Sequence, residues 1–335
     1  IANNENFIAD FNFIRDYHLT IAYELFGDQF DIELNLIFAQ ISKFFIENKN
    51  KSYDYIYDHV ESYGEIISTK LIRTYLNSIG IANTWNVTNQ NIQNAITKEK
   101  IYITQGFIGS ASSDAVTTLG REGSDYSAAI FSYCLNAESM SIWKDVPGVL
   151  NADPRHFENP ILLQQISYRE ALEMAFYGAT VIHPKTIKPL ENKNITLYVR
   201  SFTHPKLEGT KVSKDVPLFP QSVCYTYKEN QILLSISTKD FSFMMEHNIS
   251  HLFQIFAEHR IKANLIQNSA ISFSVCIEDM YNEFENLKMN LMEHYNFESN
   301  EKVKLISIRH FTNDILQEFE SKNEILLIQQ NNNVA

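Results

Sequence analysis

The sequence predicts an α/β fold in which a layered domain is followed by a smaller region with a different pattern. Its 335 residues exceed what one hydrophobic core organises, so two or three domains are expected. Strand and helix patterns alternate up to residue 212, which is typical of a largely parallel sheet covered by helices. The pattern changes after a segment containing Pro217 and Pro220, which we interpret as a linker.

The first half opens with helical patterns. Apolar side chains between Leu34 and Phe45 recur at i, i+3, i+4 and i+7, and helix is predicted over 7–48. A second helical stretch spans 53–76, with a break expected near Gly64. The remaining predictions for this half are strands at 79–85, 101–104, 141–143 and 196–201, and helices at 128–135 and 167–177.

The second half has the order β-α-β-β-α-β, which is that of a ferredoxin-like domain. Its clearest strand is 271–277, where apolar residues alternate and therefore form one buried face. The other predicted elements are strands at 231–237, 261–267 and 303–308 and helices at 249–256 and 280–295. Residues 311–330 have the pattern of part of a second such unit, shortened.

Composition limits the class of function. A net charge of -12 and a pI near 5.3 argue against a nucleic-acid or anionic-membrane surface, because both need clustered Lys and Arg. The three cysteines lie far apart without metal-ligand spacing, and indicate buried thiols in a reducing compartment. No apolar run reaches the roughly 18 residues of a membrane span and no signal peptide is visible, so we expect a cytoplasmic protein.

The segment that carries most chemical information is GREGSD, at 120–125. Its two glycines allow a tight turn and a close approach of the backbone to a ligand. Ser124 or Asp125 can cap the helix that follows, which leaves first-turn N–H groups free to face an anion. Arg121 offers a planar fork suited to a carboxylate or a phosphate. Taken alone, the segment is equally consistent with an ordinary glycine-rich turn.

Four further motifs accompany this loop. They are ITQGFIG at 103–109, WKDVPGV at 143–149, DPR at 153–155 and GATVIHP at 178–184. In this order and spacing they resemble the aspartate kinase family over nearly the whole chain. The resemblance implies a three-layer α/β/α amino-acid kinase sandwich over 1–213 and a linker over 214–228. It also implies tandem ferredoxin-like ACT domains, which bind amino acids, over 229–335.

The resemblance also implies an activity. Aspartate kinases transfer the γ-phosphoryl group of ATP, used with Mg²⁺, to the β-carboxylate of L-aspartate, the first step of lysine, threonine and methionine biosynthesis. Arg121 matches the arginine that grips the substrate carboxylate, and Glu65 matches the glutamate that receives its ammonium. Ser124 and Phe107 belong to the same substrate site, and Arg121 and Asp125 are the expected catalytic residues. Without the resemblance, Glu65 is an ordinary solvated helix charge.

The resemblance places the nucleotide at a second group of residues, namely Lys144, Asp145, Arg155, Thr180 and Val181. Asp145 ends a strand just before a Pro-Gly turn, a usual place for ligand contacts in α/β sheets. Arg155 can neutralise phosphate charge, although a turn-capping Asp and a surface Arg are the plainer interpretations of these two residues. His183 and Pro184 are expected to begin a helix, not to act as a base.

The ACT domains are expected to bind an effector amino acid, lysine or threonine, at an interface between copies in a homodimer or a higher homo-oligomer. One group of residues bridges a strand and a helix and another bridges two strands: Met245, Asn248, Ile249, Asn264, Asn268 and Ser269. The free N–H groups at a helix start suit an effector carboxylate. Ordinary caps and a hairpin turn are the alternative for each of these residues.

Three positions depart from the family pattern. Glu122 replaces a glycine and either adds negative charge near the substrate or points outward, Thr180 stands where many members have lysine, and Leu150 where many have tyrosine. The family also opens with a strand and Lys-Phe-Gly-Gly-Thr, whose lysine contacts the phosphates and stabilises transfer. The chain has no such motif. We expect that segment to be missing from the sequence, and a join near Val87 and Thr88.

Three other functions stay open at this point. A catalytically silent amino-acid sensor would use its ACT domains to regulate a partner, and a Lys-Phe-Gly-Gly-Thr segment upstream would argue against it. Other amino-acid kinases, such as glutamate or N-acetylglutamate kinase, generally lack the ACT tail, and their substrate loops differ from GREGSD. A bifunctional kinase–homoserine dehydrogenase would need a further domain, so a monofunctional enzyme is preferred.

Overall fold

The computed structural model describes residues 7–27, 31–86, 101–112, 115–240, 242–331 and 334. These residues fall into two compact units. The first comprises Ile1–Ile142 and Lys185–Leu197, and the second comprises Trp143–Pro184 and Tyr198–Ala335. The join predicted near Val87 and Thr88 lies outside the described residues.

Three helices open the first unit: α1 at Phe7–Phe26, α2 at Asp31–Glu47 and α3 at Tyr53–Ser78. Their apolar faces share a core that consists of Ala22, Leu34, Ile37, Phe38, Ile41, Ile67 and Leu71. The break predicted near Gly64 is wrong, because α3 continues through it. A glycine inside a helix costs only about 1 kcal/mol relative to alanine, which the packing of a long helix outweighs.

Short strands and a fourth helix follow in the first unit: β1 at Thr84–Asn86, β2 at Tyr102–Thr104, β3 at Ile108–Ser110, β4 at Val116–Thr118 and α4 at Gly123–Leu135. β1 and β2 are parallel, and β3 and β4 form an antiparallel hairpin. The strand predicted over 79–85 is wrong in its first five residues. The chain turns at Gly80, whose φ is +81°, and pairing begins only at Thr84.

A four-stranded sheet is built from β5 at Ser139–Lys144, β6 at Gln165–Ser167, β7 at Thr196–Ser201 and β8 at Thr210–Ser213. Its order is β5-β7-β8-β6, and β6 is parallel to β8, with Ile166 opposite Val212. Alternate residues of β7 are buried, so one face of that strand is covered. Two helices precede β7, α5 at Tyr168–Phe176 and α6 at Pro184–Lys193.

The second half forms an antiparallel sheet with two helices: β9 at Cys224–Thr238, α7 at Glu246–Glu258, β10 at Lys262–Asn268, β11 at Ser272–Glu278, α8 at Phe284–His294 and β12 at Tyr295–Arg309. The sheet order is β10-β11-β9-β12, and all three neighbouring pairs are antiparallel. This arrangement confirms the predicted ferredoxin-like unit.

Several boundaries in this half differ from the prediction. The helix predicted over 280–295 begins only at Phe284, because the Asp279 carboxylate accepts the N–H groups of Glu283 and Phe284 at 2.9 and 3.0 Å. The strand predicted over 303–308 starts at Tyr295 and pairs with β9 along most of its length. β9 begins inside the range predicted as linker.

After β12 the chain continues into α9, at Asn313–Lys322. The described residues therefore contain one complete β-α-β-β-α-β unit, and the second, shortened unit stays a prediction. In the part of the chain that the structure describes, no helix is both long and apolar enough to cross a membrane.

Candidate functional site

The GREGSD loop connects β4 to α4 in the first unit. Gly120 and Glu122 have left-handed backbone conformations, with φ of +71° and +57°, and the Gly123 N–H donates to the Gly120 carbonyl at 2.9 Å. The expectation that Ser124 or Asp125 caps the helix is wrong. Glu122 is the N-cap residue, and both side chains already lie in the first turn of α4, because the helix begins at the second glycine of the loop.

This loop packs closely against the turn that precedes β3. A Cβ on Gly106 would lie 3.0 Å from the Ser124 Cα, and a Cβ on Gly123 would lie 2.7 Å from the Phe107 ring. Phe107 itself has a φ of +64°, which is uncommon for a residue with a side chain. Its N–H donates to Ser127 Oγ at 2.9 Å. The ITQGFIG and GREGSD segments thus pack together at Gly106 and Gly123, where a larger residue would clash.

Helix α3 is tied to the same turn by one hydroxyl group. Thr69 Oγ1 donates to the Glu65 carbonyl at 2.7 Å, and it accepts hydrogen bonds from Gln105 Nε2 at 3.1 Å and Trp85 Nε1 at 3.0 Å. Thr69 and Gln105 are both buried. Glu65 therefore lies one helical turn before Thr69, whose hydroxyl bonds to Gln105 in the segment before Phe107. The structure brings the Glu65 region and the GREGSD loop together in the first unit.

Two charged side chains on these linked segments, Arg121 and Glu65, are available to a ligand. Arg121 is exposed and Glu65 is half-buried, and neither side chain has a hydrogen bond or ion pair with another described residue. A carboxylate and a guanidinium can take the ammonium and the carboxylate of an amino acid. Glu122 is half-buried, with one carboxylate oxygen shielded from solvent, so the outward orientation considered for it is wrong.

A polar stripe on α3 supports this region. Asp58, Ser62, Glu65 and Thr69 follow one another at i, i+4, i+7 and i+11, which places them on one face of the helix. Asp58 Oδ1 accepts a hydrogen bond from Thr118 Oγ1, just before the loop, at 2.7 Å. The sequence interpretation missed the supporting roles of Asp58, Thr69 and Gln105. The helical spacing of the polar residues was the available signal for the first two.

The predicted nucleotide residues lie in the second unit. Lys144 ends β5, and its carbonyl accepts the Phe202 N–H at 2.7 Å, while Asp145 is exposed just beyond the strand. The turn that follows is tightly packed, since a Cβ on Gly148 would lie 2.6 Å from Thr210 Oγ1. The Asp145 carboxylate is thus exposed to solvent just after β5, and the turn that follows it is held by close packing.

Arg155 is not a free cation. Its Nε lies 3.0 Å and its Nη2 2.6 Å from the two carboxylate oxygens of Asp153, and its side chain is 73% exposed. The hydrogen bond from Arg155 is the largest cause that lowers the pKa of Asp153 below its ordinary value. To meet a phosphate, the guanidinium has to share its donors with Asp153 or release it.

The GATVIHP motif connects α5 to α6. Gly178 has a φ of +124°, Thr180 is exposed and Val181 is half-buried. Helix α6 begins at Pro184, which confirms the expectation that His183 and Pro184 start a helix.

The predicted effector residues lie at the start of α7 and on or just after β10. Asn264 was expected in a connection between strands, but it lies inside β10 and is 4% exposed. Its Nδ2 donates to Gln231 Oε1 at 2.7 Å, and its Oδ1 accepts from Lys228 Nζ at 2.9 Å. The Asn264 amide is thus paired within the sheet, and the effector role of this residue stays a prediction.

The other effector candidates lie near the surface or serve local structure. Asn248 Nδ2 donates to the Phe243 carbonyl at 3.3 Å, and Ile249 packs on the core of the ferredoxin-like unit. Three candidates are exposed, and they are Met245, Asn268 and Ser269.

Two cavities are lined by other residues. One of about 200 Å³ lies among α1, α2 and α3, and one of about 610 Å³ is lined by residues that include Arg200 and Lys211. Neither is lined by a predicted site residue. Among the described residues, no group of three or more His, Cys, Asp or Glu side chains is placed to hold a metal ion.

Comparison with known proteins adds an independent result. The sequence profile of the amino acid kinase family matches residues 23–201. Lysine-sensitive aspartokinase 3 of Escherichia coli (strain K12) is 37% identical over 183 residues, which is 54% of this chain and 40% of that protein. The chain thus spans about two fifths of that relative's length.

Two solved structures are similar to the fold described above. E. coli aspartokinase III in complex with aspartate and ADP, in the R-state, matches with a TM-score of 0.73 and 26% identity over 90% of this chain and 74% of that one. The same enzyme in complex with lysine and aspartate, in the T-state, gives a TM-score of 0.76 and 25% identity over 98% of this chain and 82% of that one.

Proposed function

The chain belongs to the amino acid kinase family, and we propose that it acts as an aspartate kinase, which transfers the γ-phosphoryl group of ATP to the β-carboxylate of L-aspartate. The hydrogen bonds of Thr69 carry the proposal, since they join the Glu65 turn of α3 to the turn that packs on the GREGSD loop. The names of the similar proteins, which are aspartokinases, support the choice of substrate.

Each charged group has a role in substrate binding. Glu65 receives the ammonium of aspartate, and Arg121 grips a carboxylate by a bidentate hydrogen bond. Ser124 and Phe107 line the same site, and the close packing of Gly106 and Gly123 fixes their backbone. Because the acceptor is already a carboxylate, the site needs to orient it and does not need a general base.

Transfer itself depends on position and on charge. An oxygen of the β-carboxylate forms a bond to the γ-phosphorus while the bond to the bridging oxygen breaks, and ADP leaves with the electron pair. The exposed Asp145 carboxylate is a ligand of the type that would hold Mg²⁺, which would neutralise negative charge during the transfer. Lys144 and Arg155 are proposed to contact the nucleotide, with Thr180 and Val181 as its backbone neighbours and Asp125 assisting transfer.

A coupled assay of ADP formation tests this proposal. The full-length protein is incubated with ATP, Mg²⁺ and, in separate reactions, aspartate, glutamate or N-acetylglutamate. Aspartate alone should support turnover. Turnover with glutamate but not aspartate would overturn the substrate, and ATP binding without turnover on any substrate would favour an amino-acid sensor.

We further propose that residues 1–213 are the kinase domain, 214–228 the linker and 229–335 the regulatory ACT region. An amino acid binds there, and lysine is favoured over threonine because the similar E. coli enzyme is lysine-sensitive and was solved with lysine. The exposed Met245, Asn268 and Ser269 are the proposed contacts, in a homodimer. Free thiols at all three cysteines support a cytoplasmic location.

Titration calorimetry tests the effector. Lysine should release or absorb heat on binding to the full-length protein, and threonine should not. The absence of heat with both amino acids would remove the effector site.

A further inference from the structure

Helix α5 leads directly to Thr180 and Val181, and its first half is bound by the end of the ferredoxin-like sheet. Arg309, the last residue of β12, is 4% exposed. Its Nε and Nη2 donate to the two carboxylate oxygens of Glu170, at 2.7 and 3.0 Å, and its Nη1 donates to Glu173. One guanidinium thus holds two carboxylates that lie almost one turn apart on the same helix.

The partners of Arg309 are set by the same local structure. The Ser167 Oγ caps α5 by accepting the Glu170 N–H at 3.1 Å, which fixes the first turn. His310 Nε2 lies 3.0 Å from Glu170 Oε1. Burial raises the pKa of Glu170, but the hydrogen bonds and charges of Arg309 and His310 outweigh it, so the pKa is lowered. The pair is therefore ionised at neutral pH.

The other end of α5 rests on the same sheet. A Cβ on Gly178 would lie 2.9 Å from the Tyr227 carbonyl oxygen and 3.1 Å from the Lys228 side chain, so the chain approaches β9 as closely as only glycine allows. The ammonium groups of Lys228 and Lys262 lie 5.8 and 5.7 Å from the centre of the Phe176 ring. Both ends of α5 are thereby attached to the ferredoxin-like sheet.

The contacts at the two ends of α5 constrain the helix in different ways. Contacts of glycine and an aromatic ring fix a distance, whereas a planar guanidinium paired with two carboxylates also fixes the orientation of the helix. A buried charged pair is a costly way to achieve packing alone, because apolar residues of similar volume would serve as well. Its presence at the start of α5 indicates that the orientation of this helix matters.

We propose that Arg309 is a positioning residue for nucleotide binding: acting through Glu170 and Glu173, it orients α5 and so sets residues 179–182 for ATP. The proposal rests on the proposed function. It also gives the ferredoxin-like sheet a physical route to the nucleotide residues, since a shift of β12 would move α5.

The test uses Arg309→Met and Arg309→Lys in the full-length protein. The dissociation constant of ATP is measured by calorimetry, and the KM values for ATP and aspartate by the coupled assay. Arg309→Met should raise both ATP constants about tenfold, which is typical of coupling between sites, and leave the aspartate KM unchanged. Arg309→Lys, which keeps the charge but loses the fork, should lie between it and the wild type.

Arg169→Met is the matched control. Arg169 lies on the same helix and contacts Glu173 at 3.2 Å, but its side chain is 87% exposed. Arg169→Met should leave the dissociation constant and the KM of ATP within twofold of the wild-type values. Thermal unfolding identifies variants that do not fold, and Glu170→Gln, which keeps the shape of the side chain, provides a second change at the same contact.

Several results would overturn the role of Arg309. They are an unchanged ATP dissociation constant in folded Arg309→Met, equal rises in both KM values, and failure of every variant at this contact to fold. A wild-type protein that binds ATP without phosphorylating aspartate would refute the proposed function only, because the dissociation constants would still decide the role of Arg309. A wild-type protein that binds no ATP would refute both.

Discussion

The hydroxyl of Thr69 and the side-chain amide of Gln105 meet at 3.1 Å, although 36 residues separate them in the sequence. The same hydroxyl donates to the Glu65 carbonyl. The Thr69 hydroxyl therefore joins helix α3 to the turn before β3. We expect this contact to help set the relative position of the proposed ammonium site and the proposed carboxylate site.

Removing this hydroxyl should disturb both stability and substrate binding. Thr69→Val keeps the shape of the side chain but removes the hydroxyl that accepts hydrogen bonds from the Gln105 amide and the Trp85 N–H. We expect the free energy of unfolding to fall by about 1–3 kcal/mol and the aspartate KM to rise severalfold. Urea unfolding and steady-state kinetics measure the two effects.

Ser68→Ala is the control for Thr69→Val. Ser68 Oγ also donates to the Glu65 carbonyl, at 3.1 Å, but its side chain is exposed and, within the described ranges, bonds to no other segment. It should change neither quantity appreciably. Equal effects of the two substitutions would show that the Thr69 hydroxyl does not position Glu65.

Removal of the Arg121 side chain should change the KM for aspartate and not the KM for ATP. Arg121→Ala should raise the aspartate KM about 10- to 100-fold, as expected for a lost charge-assisted bidentate hydrogen bond, and leave the ATP KM unchanged. Arg73→Ala removes an exposed arginine from α3 and should have no kinetic effect. An unchanged aspartate KM in Arg121→Ala would take that residue out of the substrate site.

Two glycines should respond to alanine in opposite directions. A Cβ on Gly123 would lie 2.7 Å from the Phe107 ring and 2.9 Å from the Leu119 Cβ, so Gly123→Ala should destabilise the protein by about 1–3 kcal/mol. Gly64 lies inside α3 with nothing within 4 Å of such a Cβ, so Gly64→Ala should stabilise it by roughly 0.5–1 kcal/mol. Thermal or urea unfolding checks both, and a neutral Gly123→Ala would contradict the close approach.

The Glu170–Arg309 pair should make stability depend on pH in the acid range. The folded-state pKa of Glu170 lies below its ordinary value of 4.5, so the pair stabilises the fold above that pH, and this contribution is lost as the pH falls through the folded-state pKa. Glu170→Gln should lower the free energy of unfolding at pH 7 by about 3–5 kcal/mol and flatten the acid decline. Glu320→Gln, at an exposed position, should leave the dependence of the free energy of unfolding on pH unchanged. If Glu170→Gln lowered that free energy equally at every pH, the lowered pKa assigned to Glu170 would be contradicted.

Local sequence patterns predicted the ferredoxin-like unit well because its periodicity is local. In β11, Phe273, Val275 and Ile277 are buried as the apolar alternation indicates, whereas Ile271 precedes the strand and is exposed, and Cys276 on the other face is also buried. The boundaries of α8 were harder, since they depend on a carboxylate at Asp279 that accepts N–H groups four and five residues later. Gly64 shows the opposite case, in which the packing of α3 overrides a local helix breaker.

The candidate site was predicted from motifs, but its supporting contacts were not. Nothing near Gln105 in the sequence indicates that its amide reaches Thr69, because that contact requires the fold to bring the two segments together. The same holds for Arg309 and Glu170, which are 139 residues apart. Asn264 was assigned to an effector site as part of a segment expected to bridge two strands, and the structure places it within β10, in a buried network.

Hydroxylamine trapping of the product tests the central claim most directly. An acyl phosphate formed on a carboxylate reacts with hydroxylamine to give a hydroxamate, which mass spectrometry identifies. The full-length protein, supplied with ATP, Mg²⁺ and aspartate, should give the β-hydroxamate of aspartate in equal amount to the ADP formed, and none with glutamate. ADP released without any aspartyl hydroxamate would contradict the assignment of this chain as an aspartate kinase.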